Sequence, residues 1–446
     1  MLRSLFLFAI VGMLLPLALR NAHAGLLLWE WFTVMSPHRE VYGPATYFKF
    51  NLIVAVATLG MWLLSKEKKV PPLSPVVVLF LLFVFWMVLA QVFSLRPDYS
   101  WPYFDRFIRI MVFVWLMLAM TNTKYRIHSA VWVLVVSLAY FGVRGGGFTL
   151  LTGGGFRVWG PPQSSIEDNN HLGMALVMVV PLMHYLRTYS EKKIVRLALL
   201  VAMILTVMAV LGTQSRGAFV ALSVMVLFFW WYSKQRVKLA LLGGAVLAVA
   251  VFFMPESWFD RIATIGEATQ DKSFMGRVDA WIIAFDTAVH NPLTGAGFRV
   301  PYLQEIADQF TTEYHKARAA HSIYFEVLGS MGFGGLFLFL GIALSVLIAS
   351  LRVDRIARRL VDMEWASDLA RMSRASFLSY FVGASSMSLE FWEGYWIQVA
   401  LMVNLQTLVL EEKKRQEKAA LAKEGDGLSS EERPGLTPEY SISRST

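Results

Sequence analysis

The chain has 446 residues, 56% of them hydrophobic and 16% charged, with a formal net charge of +9 and no cysteine. A mean hydropathy of +0.51 means more apolar surface than a water-soluble fold can hide, which excludes a soluble globular protein and implies a polytopic membrane protein. Without cysteine there is no disulfide, no thiolate metal site and no thiol nucleophile.

Apolar runs recur along the chain, most of them long enough to cross a hydrocarbon core of about 30 Å as a helix. They lie near 3–19, 46–65, 74–95, 103–121, 128–144, 171–187, 194–212, 217–233, 238–254, 322–350, 374–389 and 394–410, which predicts an all-α protein of about twelve spans. The first run precedes Ala22-His23-Ala24, spaced like a signal-peptide cleavage site. Arg20 and His23 crowd that site and the run is long, so an uncleaved first helix is expected.

Basic residues gather in alternate loops: Lys66, Lys68 and Lys69; Lys124 and Arg126; Arg187, Lys192, Lys193 and Arg196; Lys234, Arg236 and Lys238; then Arg352, Arg355, Arg358, Arg359, Arg371 and Arg374. Basic loops stay cytoplasmic, so this face is predicted to lie inside with both chain ends on it. The excess of positive charge is then topological and no sign of nucleic-acid binding, since it sits beside helix ends with no basic soluble domain.

The opposite face receives 20–45, 96–102, 145–170, 213–216, 255–321 and 390–393. The segment 255–321 is the largest, with nine acidic and six basic residues, and the orientation rule does not account for its arginines. Within it, Gly276–Phe285 has the apolar spacing of a helix, and Asn291-Pro292-Leu293-Thr294-Gly295-Ala296-Gly297 is its terminating turn. Beyond Glu411 the composition turns to charge, Ser, Gly and Pro, predicting disorder past a helical extension.

Gly145-Gly146-Gly147 and Gly153-Gly154-Gly155 match no nucleotide-binding loop and are expected to be flexible. Glu167-Asp168-Asn169-Asn170-His171 could ligate a metal, but its place before an apolar run favours helix capping. No H-E-x-x-H or outward D-x-D supports a metal-dependent glycosyltransferase. Arg216 separates two runs at the outer boundary, where it can snorkel to lipid headgroups or bind phosphate in a two-pronged manner. Arg277 and Arg299 gain meaning in its company. His321, in Arg318-Ala319-Ala320-His321-Ser322-Ile323-Tyr324-Phe325-Glu326, can cap the helix that follows or, with an ordinary pKa near 6.5, take a proton from a sugar hydroxyl.

Taken in order, Ser215-Arg216-Gly217-Ala218, Gly276-Arg277 with Trp281 and Ala284, Pro292-Leu293-Thr294-Gly295-Ala296-Gly297-Phe298, and His321-Ser322-Ile323-Tyr324-Phe325-Glu326 with Gly332 and Gly335 resemble the core of the O-antigen ligase and O-antigen polymerase superfamily. Asp168-Asn169-Asn170, with Leu172, Ala175 and Pro181, is similar to another segment of that family. Trp29-Glu30-Trp31-Phe32, Ser36-Pro37-His38-Arg39 and Tyr42-Gly43 resemble the subgroup of exosortase-associated O-glycosylation ligases.

The resemblance implies a metal-independent, inverting glycosyltransferase of GT-C-like fold in the bacterial inner membrane, its active site facing the periplasm. It implies His321 as general base, Arg216 and Arg277 on the pyrophosphate, and Arg299 as a third, harder-to-align contact. Implied partners are an undecaprenyl-pyrophosphate-linked glycan donor, a lipid A core or other glycan or protein acceptor, and membrane lipids, with no cofactor or nucleic acid. Residues 1–254 would hold spans one to nine, 255–321 a helical periplasmic loop domain, 322–410 spans ten to twelve, and 411–446 a cytoplasmic, largely disordered tail. A growing-glycan polymerase or a protein O-glycosylation ligase would share the donor chemistry. A lipid-glycan transporter fits less well, because no internal repeat is visible and the suspicious charges sit at the outer boundary.

Overall fold

A computed structural model describes residues 1–67, 69–233, 235–238, 241, 244 and 272–431. The expected ninth run at 238–254, residues 255–271 of the large loop and the tail beyond Glu431 lie outside the described residues, apart from isolated positions in the ninth run. Among the described residues every long element is an α-helix: α1 Leu2–Ala18, α2 Ala22–Met35, α3 Phe50–Leu64, α4 Pro75–Val92, α5 Pro97–Met120, α6 Lys124–Leu151, α7 Asn169–Tyr189, α8 Lys193–Gly212, α9 Arg216–Tyr232, α10 Lys272–His290, the short α11 Gln304–Phe310, α12 Ile323–Ala357, α13 Glu364–Gly383 and α14 Glu393–Glu431. Their lengths follow the apolar runs, and side-chain caps mark several starts: Ser74 for α4, Thr123 for α6, Asp168 for α7 and Ser215 for α9.

The protein is an all-helical membrane protein. Among the described residues, α4, α6, α7, α8 and α12 are long and apolar enough to cross a bilayer, and α1, α3 and α9 are shorter apolar helices. The twelve spans expected are therefore not confirmed, and one of them, 238–254, lies almost wholly outside the described residues. The run at 374–389 does not form one helix: α13 begins ten residues earlier, ends at Gly383, and carries Arg371 and Arg374 within it. Buried Arg374 is held by Asp354 of α12, 3.0 Å away, which is how a charge expected in a loop enters a helix–helix contact.

The basic loops do share one end of the bundle. Arg126 pairs with Glu67 at 2.6 Å, Lys124 lies over the Trp365 ring, and the Tyr189 hydroxyl donates to Asp368 at 2.7 Å. The C-terminal helix reaches this end too, with Gln416 bonded to the backbone of Val361.

The amino terminus is at the other end, against expectation. Residues 22–35 are α2, a helix running alongside α6: His23 meets Ser129 at 3.0 Å near the basic end, and Glu40, just past α2, pairs with Arg144 near the far end. α1 therefore runs the opposite way, and Ser4 donates to the Tyr42 carbonyl at 2.7 Å. Polar His23 and Glu30 interrupt the apolar run, so α2 read as loop; both are buried against neighbouring helices.

Gly145-Gly146-Gly147 are not a flexible loop but part of α6. A Cβ at Gly146 would strike the Leu205 backbone and one at Gly145 would meet Ala209, so these glycines let α6 and α8 touch backbone to backbone. Gly153–Gly155 do form a turn.

α12 is broken at Gly332, whose φ of +67° and ψ of −172° leave the helix. The break frees three carbonyls, and each finds a partner elsewhere: Gly329 accepts from Ala296 N–H (2.9 Å), Ser330 from Gly297 N–H (3.1 Å) and Met331 from Trp86 Nε1 (3.1 Å). In return Phe333 N–H donates to the Pro292 carbonyl at 2.9 Å. The turn after α10, read correctly as Asn291–Gly297, is thus wedged between the broken helix and the α4–α5 connection. There, Leu95 N–H and Ser94 Oγ both donate to the Ala296 carbonyl, and Ser100 Oγ accepts from Phe298 N–H.

Candidate functional site

The expected site residues come from four stretches of chain, all at the end away from the basic loops. Arg216 opens α9 after a three-residue turn from α8, and the Ser215 hydroxyl accepts Ala218 N–H at 3.2 Å. Buried Asn169 at the start of α7 donates from Nδ2 to the Thr213 carbonyl at 2.8 Å, pinning that turn. Gly217 leaves no room for a side chain: a Cβ would lie 2.6 Å from Ser386 Oγ and 2.7 Å from Met387 Cε, so the turn after α13 presses on the arginine's neighbour.

Arg277 lies in the first turns of α10. The Arg318 guanidinium fills the space over Gly276 that a side chain would occupy. α10 is fixed against the segment leading to His321 by an Asp279–His315 contact of 2.9 Å, by Trp281 Nε1 donating to the Ala320 carbonyl at 2.8 Å, and by Trp281 stacked on Phe325 with centroids 5.2 Å apart.

Arg216 and Arg277 line one cavity of about 210 Å³ together with Arg157, Asn169, Asn170 and Ser386. With Gln214 also in the lining, three guanidiniums, three carboxamides and a hydroxyl make a set suited to an anion with several oxygens. Arg157 and Ser386 were not anticipated. The only sign of Arg157 is its position just after the Gly153–Gly155 turn. Asp168 caps α7 as expected, its Oδ1 accepting Asn170 N–H at 2.8 Å, and this places Asn170 at the cavity.

His321 does not line that cavity but stands beside it, in the left-handed region at φ +47°, immediately before α12. Its backbone N–H donates to Glu326 Oε1 at 3.2 Å, and the same oxygen accepts the hydroxyls of Tyr302 and Ser388, each at 2.6 Å. One carboxylate oxygen thus ties the histidine's backbone to two other loops. Although His321 is exposed at the surface, desolvation by the protein around its ring, helped by the positive charges of Arg277 and Arg299, lowers its pKa below the ordinary 6.5, while Glu326 and Asp168 oppose the shift. The imidazole is therefore neutral at neutral pH, the form that can accept a proton.

Arg299 sits one layer back. It has φ +58°, its guanidinium lies 4.6 Å from the Tyr103 ring centre and 5.8 Å from that of Tyr302, and its Nε is buried without a hydrogen-bond partner. It does not line the arginine cavity; its charge faces Glu326 and Glu390. Glu390 is buried before α14, and burial first, then the Glu326 charge, pushes its carboxyl up to about 8. Sequence reasoning missed Tyr302, Ser388 and Glu390, which carry no motif and meet only in the folded chain. Together the groups offer a cationic pocket for a polyanion and, next to it, a neutral base.

No curated protein matches the chain. A model of a family of unknown function (DUF5935) matches residues 2–191, and one described as O-antigen ligase matches residues 198–340. Arg157, Asn169 and Asn170 come from the first stretch, and Arg216, Arg277, Arg299 and His321 all fall in the second. Residues 198–340 thus match the O-antigen ligase domain, the same family that the ordered motifs resemble.

Proposed function

We propose that the protein is a membrane glycosyltransferase that moves a glycan from undecaprenyl pyrophosphate to a hydroxyl of lipid A core, at the periplasmic end of the bundle. The observation that carries this reading is the shared cavity of Arg216 and Arg277 with His321 beside it, at the end opposite the basic loops. The positive-inside rule puts that end outside the cytoplasm.

In the proposed reaction the acceptor oxygen attacks the anomeric carbon from the face opposite the phosphate, with inversion. The bond from that carbon to the diphosphate breaks, and its electron pair stays on the departing oxygen. Arg216, Arg277 and Arg157 counter the charge that develops there, in a site partly shielded from water where each contact is strengthened. The hydroxyl proton passes to His321 and from there to solvent. The guanidiniums supply the charge compensation, so the scheme needs no metal. Arg299 acts by balancing Glu326 and Glu390 behind the histidine rather than by touching the diphosphate.

Purified protein incubated with undecaprenyl-pyrophosphate glycan and, in separate reactions, lipid A core, free glycan or protein tests the reading. Transfer to lipid A core is expected. Chain growth or a glycosylated protein would instead assign polymerase or protein ligase activity on the same donor. His321→Ala should slow transfer by about 100-fold to 10,000-fold while thermal unfolding stays close to that of the unaltered protein. Full activity in that variant would exclude the base role.

A further inference from the structure

A second and larger cavity, of about 1280 Å³, lies between α1, α2 and α6. It exceeds the roughly 300–1,000 Å³ of a usual small-molecule site. Its walls are apolar, including Leu5, Phe6 and Ile10 of α1, Trp31 and Met35 of α2, and Phe148 of α6. Leu5 is 64% and Phe6 67% exposed, so the groove is open along its length rather than packed shut. Its rim at the site end carries Arg39, Arg144 and Arg157. Arg39 donates to Gln163 and Arg144 pairs with Glu40, which holds the rim in place. Arg157 also lines the smaller cavity with Arg216 and Arg277, so the apolar groove and the anion pocket share a wall.

We propose that this groove holds the isoprenoid chain of the lipid pyrophosphate donor, with its diphosphate passing Arg157 into the arginine cavity. The inference rests on the donor chemistry proposed above. A long apolar chain ending in a polyanion matches both halves of the path: apolar walls for the tail, and an arginine at the junction for the head. The groove belongs wholly to the part of the chain matched by a family of unknown function, and this gives that region a role in seating substrate.

The test uses full-length protein in nanodiscs and undecaprenyl pyrophosphate bearing a diazirine in its isoprenoid chain. After irradiation, labelled peptides should come from residues 2–10 and 141–148, and unlabelled undecaprenyl pyrophosphate should displace the label where phosphatidylglycerol does not. Equal displacement by phosphatidylglycerol would mean that the groove holds bulk lipid, and labelling confined to α9 or α12 would place the chain elsewhere; either result overturns the proposal. Ala9→Trp, on the groove side of α1, provides a second reading. It should raise the ratio of KM for the undecaprenyl donor to KM for a geranyl donor by about tenfold, the loss expected when about two methylene groups are kept in water. An unchanged ratio would also overturn it. Crosslinking requires no turnover, so label in the groove without glycan transfer would sink the proposed reaction and leave the groove standing, and transfer with label elsewhere would do the reverse.

Discussion

His321 stands between charges of opposite sign, and each can be removed separately. If the neutral imidazole is the base, kcat/KM falls as pH drops through its pKa, giving an acid limb with a midpoint below 6.5. Arg277→Gln removes a positive neighbour and should move that midpoint up; Glu326→Gln removes a negative one and should move it down. Midpoints that stay put in both variants would show that the limb belongs to another group. Glu390 has the opposite kind of shift, with consequences for stability. An acid held at about 8 in the folded protein, against an ordinary 4.5, binds more protons folded than unfolded, so it costs stability as pH rises from about 4.5 through about 8. Glu390→Gln should therefore lessen the fall in Tm between about pH 6 and about pH 9. A wild-type Tm that falls no more steeply than the variant's over that window would contradict the burial argument. Neither partnership was legible beforehand, because Glu326 is five residues from His321 whereas Ser388 and Glu390 are more than sixty away along the chain.

Among the elements, the break in α12 carries the largest share of the site's framework. Gly332→Ala would force a side chain into a backbone region that only glycine adopts easily, at a cost of about 1–3 kcal/mol. Its Cβ would also meet the Pro292 and Leu293 carbonyls at 2.6 Å. Tm should drop markedly and the turn carrying Arg299 should undock. Gly341→Ala is the control: it lies in the same helix, its nearest neighbour is Leu79 at 3.5 Å, and it should be neutral or stabilising by up to about 1 kcal/mol. If the two variants melt alike, the docking of turn on break is not what holds this region. Helix α10 and its turn could be read ahead because their signals are local: apolar spacing, then Asn-Pro and two glycines. The break could not, because 322–350 reads as one mainly apolar run, and its glycines do not announce that a distant turn will take over its hydrogen bonds. Gly145-Gly146-Gly147 misled for a related reason, since glycine in sequence means freedom until another helix is seen lying against it.

For the whole molecule, the amino terminus and the described part of the C-terminal helix around Gln416 lie at opposite ends of the bundle. The absence of native cysteine makes this easy to check. In sealed vesicles, a membrane-impermeant maleimide should label Leu2→Cys from the side that bears the candidate site and Ala420→Cys from the other. Labelling of both from one side would restore the topology expected from counting apolar runs and would remove α2 as a crossing element. Composition and hydropathy by themselves determined that this is a helical membrane protein, and the spacing of basic loops determined which loops share an end, because both depend on the partitioning of each residue between water and lipid. The ordered short motifs also pointed to the family whose domain matches residues 198–340. Tertiary structure alone decided that the amino terminus lies at the site end, that Arg157 joins Arg216 and Arg277 while Arg299 stands behind them, and that Glu326 holds the histidine's backbone. Those outcomes depend on which distant helices pack together and which buried charges find a partner, and neither is encoded within any single stretch of the chain.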